Sequence, residues 1–288
     1  MKKWVATVLM AGIAFGILAG TTIPALATTT ITAAPSAATT TATQLSTSNY
    51  DADRTTAGTI GVRFLSGGDA RVKTRVQKDA VNYDYDLFGR ATFEYFPMQL
   101  GNGDYSVTLF ENVSDNRYRV VERKTVTASV KNVLDVFRNS IQTVRWADDM
   151  EVVKKADLLT SKLKTDRQKI DAIYSFVVKN FSYDYEKIKT LTSTYVPDPD
   201  AILKAGKGIC YDYSAVFGAM LRSQGIPVKL IKGYTDNVKE YHAWNEVWLA
   251  DEKRWVVVDT TYDSVLAAAG RKITMEKKRT LYRPSKEY

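Results

Sequence analysis

Gly206-Lys207-Gly208-Ile209-Cys210-Tyr211-Asp212-Tyr213-Ser214 holds the only cysteine of a 288-residue chain, and Tyr241-His242-Ala243-Trp244, a little downstream, holds its only histidine. Val258-Asp259-Thr260 adds a carboxylate in the same run. A thiol, an imidazole and a carboxylate are the three groups a thiol nucleophile needs. The glycines read as a flexible loop delivering Cys210 to the start of a helix. Ser214, Phe217 and Leu221 follow at helical spacing, and Gly225-Ile226-Pro227 supplies the stop. Helix N-termini carry unpaired N–H groups and the positive end of the dipole, which favour a thiolate and can hold an oxyanion. Taken alone, Cys210 reads equally well as an inert core residue, since free cysteine is commonly buried.

His242 and Asp259 shift that balance. Residues Tyr241–Leu249 and Arg254–Thr260, rich in Trp and Val, read as two strands joined by Ala250-Asp251-Glu252-Lys253. With Leu249 paired to Arg254, Asp259 stands opposite Trp244 and His242 is one diagonal step away on the same face, about 7 Å at the backbone. An odd-length loop without a bulge would put the two on opposite faces. The carboxylate then fixes the imidazole tautomer and stabilises the imidazolium, leaving the other ring nitrogen for Cys210. The plain alternatives are an ordinary satisfied histidine and a strand-end cap. Three groups placed as one mechanism requires outweigh them.

These segments resemble the core of the transglutaminase-like superfamily, a circularly rearranged relative of papain-type cysteine proteases. The resemblance is carried by residues 208–214, Gly225-Ile226-Pro227, Gly233-Tyr234, His242-Ala243-Trp244-Asn245-Glu246-Val247 and Val258-Asp259-Thr260-Thr261-Tyr262-Asp263. It extends back to Phe181-Ser182-Tyr183-Asp184-Tyr185 and Pro197-Asp198-Pro199. It implies a catalytic triad of Cys210, His242 and Asp259. One departure is Tyr262, where many members carry Trp. The family includes cross-linkers, peptidases, deamidases, peptide-glycan amidases and members without catalysis, so the resemblance implies a chemistry more firmly than a substrate.

At 45% hydrophobic and 25% charged residues the chain is globular, and its net charge of +8 with pI near 9.3 favours anionic surroundings such as cell-wall polymers. That charge is spread along the chain and argues only weakly for nucleic acid. Residues 1–27 read as a secretory signal: Lys2 and Lys3, an apolar run from Val5 to Ala19, and the small-residue site Ala25-Leu26-Ala27. Gly, Thr and Pro interrupt the run before it reaches spanning length, so no stable membrane span is expected after cleavage. Residues 28–49, almost wholly Thr, Ala and Ser, read as a disordered linker. An exported protein with one cysteine cannot form an internal disulfide, and that thiol is flagged as reactive.

Residues 50–130 alternate apolar and polar positions in runs 59–64, 70–76, 91–96, 105–111 and 118–126. Turn signals separate them, including Ser66-Gly67-Gly68-Asp69 and Gly101-Asn102-Gly103-Asp104, and predict a small β-sandwich, immunoglobulin-like. Its aromatics Tyr83, Tyr85, Phe93, Tyr95 and Phe96 read more readily as core than as a binding platform. Within residues 131–164, helices over 133–146 and 152–163 are expected to link this module to a catalytic domain at 165–288. That domain opens with a capping box at Thr165 and Gln168 and an apolar stripe Ile170, Ile173, Tyr174, Val177, Val178, Phe181. Residues 235–240 read as a polar loop, and the basic residues 271–288 as a solvated tail.

The expected fold is therefore α+β: a papain-like core, with a helix carrying Cys210 packed on an antiparallel sheet carrying His242 and Asp259, preceded by an all-β sandwich. The expected chemistry is acyl transfer through a thioester on extracellular or cell-wall protein or peptide amides. A wall-peptide amidase and a scaffold with an idle triad are the alternatives. Tyr183 and Tyr195 are candidate oxyanion donors, and Tyr211 and Trp244 candidate cleft residues. No cofactor is implied. One histidine and one cysteine do not make a usual zinc site, and neither a phosphate-binding Gly-Lys-Ser or Gly-Lys-Thr loop nor a dinucleotide glycine pattern is present.

Overall fold

The computed structural model describes residues 48–65 and 68–288. The expected signal segment, the linker apart from its last two residues, and the first half of the Ser66-Gly67-Gly68-Asp69 turn lie outside the described residues. The described residues form one compact unit.

Seven strands come first: β1 (Tyr50–Asp51), β2 (Thr59–Val62), β3 (Val72–Lys78), β4 (Val81–Leu87), β5 (Glu94–Pro97), β6 (Gly103–Ser114) and β7 (Arg117–Ala128). They make two antiparallel sheets, ordered β1-β2-β5 and β4-β3-β6-β7. Ile60, Val62 and Phe96 of the first and Val76, Tyr83, Tyr85, Val107 and Leu109 of the second bury into one core, as alternation requires of a sandwich. Tyr83 and Tyr85 belong to β4, a strand absent from the sequence expectation although its Tyr-Asp-Tyr-Asp alternation encodes it.

The expected helix over 133–146 is instead a short 3-10 helix, Val133–Arg138. The chain then doubles back through the Ile141–Val144 bridge, so its apolar residues serve a turn between two cores. Helix α1 (Glu151–Thr160) is more than a linker, because Val152, Val153 and Ala156 bury in the same core as α2 (Asp166–Asn180). At α2 the Thr165 and Gln168 capping box forms and the predicted stripe is the buried one.

Next come β8 (Ser182–Tyr183), α3 (Pro199–Ala205), β9 (Lys207–Gly208) and α4 (Cys210–Ser223). Residues Ser214–Leu221 of α4 are buried on every side, which makes it the central helix of the domain. It packs on a five-stranded antiparallel sheet built from β10 (Val228–Thr235), β11 (Val238–Leu249), β12 (Arg254–Val258), β13 (Glu276–Lys277) and β14 (Tyr282–Glu287), in the order β13-β12-β11-β10-β14. Helix α5 (Thr260–Ala268) leaves the end of β12. Along β11, Ala243, Asn245, Val247 and Leu249 face α4, where Asn245 Nδ2 donates to Ser214 O at 3.1 Å. His242 and Trp244 take the other face.

Two sequence expectations change here. Most of residues 235–240 are strand, leaving Asp236 and Asn237 as the β10–β11 turn. The basic segment 271–288 is not a solvated tail: Lys277 pairs with the buried Asp263, and β14 forms the sheet edge beside β10. Close approach at that edge requires Gly233, where an added Cβ would sit 2.2 Å from Arg283 O. The same segment joins the two cores, with Tyr288 packed edge-on to Tyr83 and Gln99 Nε2 donating to Glu287 O at 3.0 Å. Among the described residues no helix is long and apolar enough to cross a membrane.

Candidate active site

Cys210 is the first residue of α4, half-buried and beside a cleft of about 450 Å³. What fixes the turn before it is Asp212, fully buried, whose Oδ2 accepts the Ile209 N–H at 2.9 Å. Gly208 makes this possible, since a Cβ there would lie 2.6 Å from the Asp212 Cβ. Lys187 Nζ donates to the same carboxylate at 2.5 Å, and the Tyr195 hydroxyl donates to Oδ1. The N–H groups of the first helical turn have no partner within the helix and stay available to an anion.

Leu249 pairs with Arg254 and Asn245 with Val258, the register expected for the hairpin. The strand ends there, and Asp259 becomes the N-cap of α5, its Oδ1 accepting the Tyr262 N–H at 3.0 Å. Oδ2 faces His242 Nε2 at 2.9 Å and accepts the Tyr282 hydroxyl at 3.1 Å. Asp259 is thus both the cap and the partner of the imidazole. Cys210 lines the same cleft as the His242 ring. Burial alone would discharge the ring, but the charge and hydrogen bond of Asp259, helped by Cys210, outweigh it and raise His242 to about 10. The structure therefore brings Cys210, His242 and Asp259 together.

The other sequence candidates divide. Tyr183 lines the cleft with Cys210, and burial, with the charge of Cys210 adding, pushes its hydroxyl up to about 12, so it keeps its proton. Tyr195 is held on Asp212 and lines a different, smaller chamber. Tyr211 turns into that chamber as well, where Lys232 Nζ sits 3.5 Å from its ring centroid. Trp244 is fully buried and does not line the cleft; its ring lies between those of His242 and Tyr282, with centroids 6.4 and 5.1 Å away.

Sequence reasoning missed Tyr282 and Asn237. Asn237 Nδ2 donates to the Tyr282 hydroxyl at 3.1 Å, so a chain of donors runs from the β10–β11 turn through Tyr282 to Asp259. No local signal marks Tyr282, because its partner Asp259 sits at the end of β12, three places away in the sheet. Tyr282→Phe keeps the ring against Trp244 and removes one donor to a buried carboxylate. It is expected to lower the unfolding free energy by about 2 kcal/mol, read from urea unfolding at neutral pH. An unchanged midpoint would show that the hydroxyl adds nothing.

A family model described as the transglutaminase-like superfamily matches residues 153–260. A UPF0252 protein of Methanocaldococcus jannaschii is 25% identical over 157 residues, 48% of this chain and 43% of its own length. A peptide-N(4)-(N-acetyl-beta-glucosaminyl)asparagine amidase of Caenorhabditis briggsae is 36% identical over 62 residues, 22% of this chain and 10% of its own. The chain thus spans less than half the length of either relative. Among solved structures, a candidate cysteine protease from Cytophaga hutchinsonii aligns at 14% identity over 71% of this chain and 74% of its own, with a TM-score of 0.39.

Proposed function

We propose, from the premise that residues 153–260 belong to the transglutaminase-like superfamily, that this protein is a cysteine-dependent acyltransferase or peptidase acting on protein or peptide amides. The observation that carries the reading is the single imidazole, held by Asp259 at 2.9 Å, lining the same open cleft as the single thiol. His242 takes the thiol proton, and the Cys210 sulfur attacks the carbonyl carbon. The oxyanion is received by the Cys210 N–H, with the Tyr183 hydroxyl as second donor. His242 then gives its proton to the leaving amine, the C–N bond breaks and a thioester remains. Water releases the acyl group as an acid; an amine takes it as a new amide. We place this chemistry outside the cytoplasm, on extracellular or cell-wall substrates, because residues 1–27 have the composition of a cleaved signal.

Iodoacetamide tests the reading. Cys210 is expected to be alkylated near pH 7 about tenfold faster than a free thiol, of which only a few per cent is thiolate, and His242→Ala is expected to abolish the difference. Equal rates in the two proteins would remove the basis for catalysis. Proteomic comparison of wall and secreted proteins with and without the enzyme then separates new termini from new isopeptide bonds.

A further inference from the structure

We propose that the cleft beside Cys210 selects a bulky apolar side chain, aromatic or branched aliphatic, next to the reacting carbonyl. This rests on the acyl-transfer reading above and adds its substrate class. Three separate parts of the chain bring apolar surface to the nucleophile: Tyr185 and Ile188 after β8, Val238 and Tyr241 on β11, and Tyr262 and Val265 on α5. Tyr185 is 63% exposed, Tyr241 48% and Ile188 46%. Large apolar groups left open to water by unconnected elements, converging on one thiol, are the mark of a surface kept for a ligand.

Charge narrows the choice. Among the described residues, the only Asp, Glu, Lys or Arg side chain lining the cleft is Glu240. No lysine or arginine lines it to receive an acidic side chain. A carboxylate entering would lose its water beside Glu240, with the one cation there, His242, already held by Asp259, whereas a leucine or phenylalanine loses only unfavourable hydration. The wall carrying Ile188 is fixed relative to the sulfur, because its neighbour Lys187 is pinned to Asp212 beneath the Cys210 turn. Beyond Tyr183, Tyr185 and Val265 lies a second hollow of about 600 Å³, lined by Val178, Phe181 and Ala267 together with Lys179, Ser182 and Ser264. A substrate with apolar residues on more than one side of the reacting amide fits this length.

The test uses peptidyl chloromethyl ketones, which alkylate the Cys210 sulfur with loss of chloride. Gly, Glu, Lys, Leu or Phe is placed at the ketone-bearing residue or at the residue before it. Iodoacetamide, which has no side chain to select, is the reference. Leu or Phe is expected to inactivate at least about thirtyfold more efficiently than Glu at one of the two positions, a discrimination ordinary for an apolar pocket. Ile188→Lys, at an exposed position, is expected to cut the Leu-to-Glu ratio at least fivefold, and Tyr185→Ser serves if that variant does not fold. Rates within threefold across the whole series on the native protein overturn the apolar selection while leaving acyl transfer standing. Slow, free-thiol-like alkylation by iodoacetamide overturns the acyl-transfer reading itself, whatever the series shows.

Discussion

Asp259→Asn is expected to lower acyl transfer about 1,000- to 10,000-fold with little change in fold. The asparagine can keep its amide oxygen on the Tyr262 N–H, so the cap of α5 survives. The amide NH2 then takes the place of Oδ2, facing both His242 Nε2 and the Tyr282 hydroxyl. Tyr282 can rotate its proton away, but the ring must turn Nε2 into an acceptor and carry its proton on the nitrogen that should take the one from Cys210. The base is then blocked in the wrong tautomer, a loss of three to four orders of magnitude in serine enzymes of the same logic. The pH dependence gives an independent check. In the native protein the charge of Asp259 is the largest influence raising His242 to about 10. A raised histidine pKa contributes stability that is fully present below about 6.5 and is lost as pH rises through about 10. The leaving amine needs that proton, so turnover should also fall through about pH 10. In Asp259→Asn the alkaline limb should move down toward the ordinary histidine range, and the stability lost on the way to pH 10 should shrink. Turnover within tenfold of native, with the limb unmoved, would reduce Asp259 to a helix cap.

What the sequence makes legible here is what depends on neighbours along the chain. The Thr165 capping box and the 170–181 stripe follow from spacing alone, and so does the hairpin register that brings Asp259 toward His242. The start of α4 at Cys210 is announced by its glycines, although the reason Gly208 is needed, the buried Asp212 folding back on Ile209, is visible only in the structure. Residues 271–288 mislead because charge is read as solvation. Lys277 and Arg279 find Asp263 and Glu246, and β14 has one flank to pair and one to leave open, so its polarity is that of an edge strand. Tyr211 and Trp244 mislead in the opposite sense: they flank the nucleophile and the base in sequence, yet one is turned into a neighbouring chamber by helical geometry and the other to the far side of the imidazole. Adjacency in sequence does not place a side chain in a cleft whose walls come from three elements.

The joint between the two cores is where a single substitution should cost most stability. Arg222, at the end of α4, is 1% exposed, and its guanidinium donates only to carbonyls: Val228 O at 2.9 and 2.7 Å, Asn139 O at 2.8 Å and Tyr288 O at 3.0 Å. It therefore ties α4 to the start of β10, to the turn after Arg138 and to the segment that carries Tyr288 into the sandwich. Burial pulls its pKa down to about 9, so it remains charged at neutral pH and folding bears the cost of burying that charge. Arg222→Met removes this cost but strands acceptors. Tyr288 O keeps its bond from Leu230 N at 2.9 Å, while Val228 O and Asn139 O lose their guanidinium donors. Two orphaned buried acceptors at about 1–3 kcal/mol each, with a shorter side chain in a packed site, outweigh the recovered desolvation. The expected net loss is about 3 kcal/mol, or about 6–12 °C in Tm for a compact unit of this size. Arg222→Lys keeps the charge but cannot reach three carbonyls from one nitrogen, and should be destabilised at least as much. A Met variant melting at or above the native temperature, with the Lys variant below it, would mean that burying the charge costs more than its hydrogen bonds return, and that the joint is held by the rings of Tyr83, Tyr85 and Tyr288 instead.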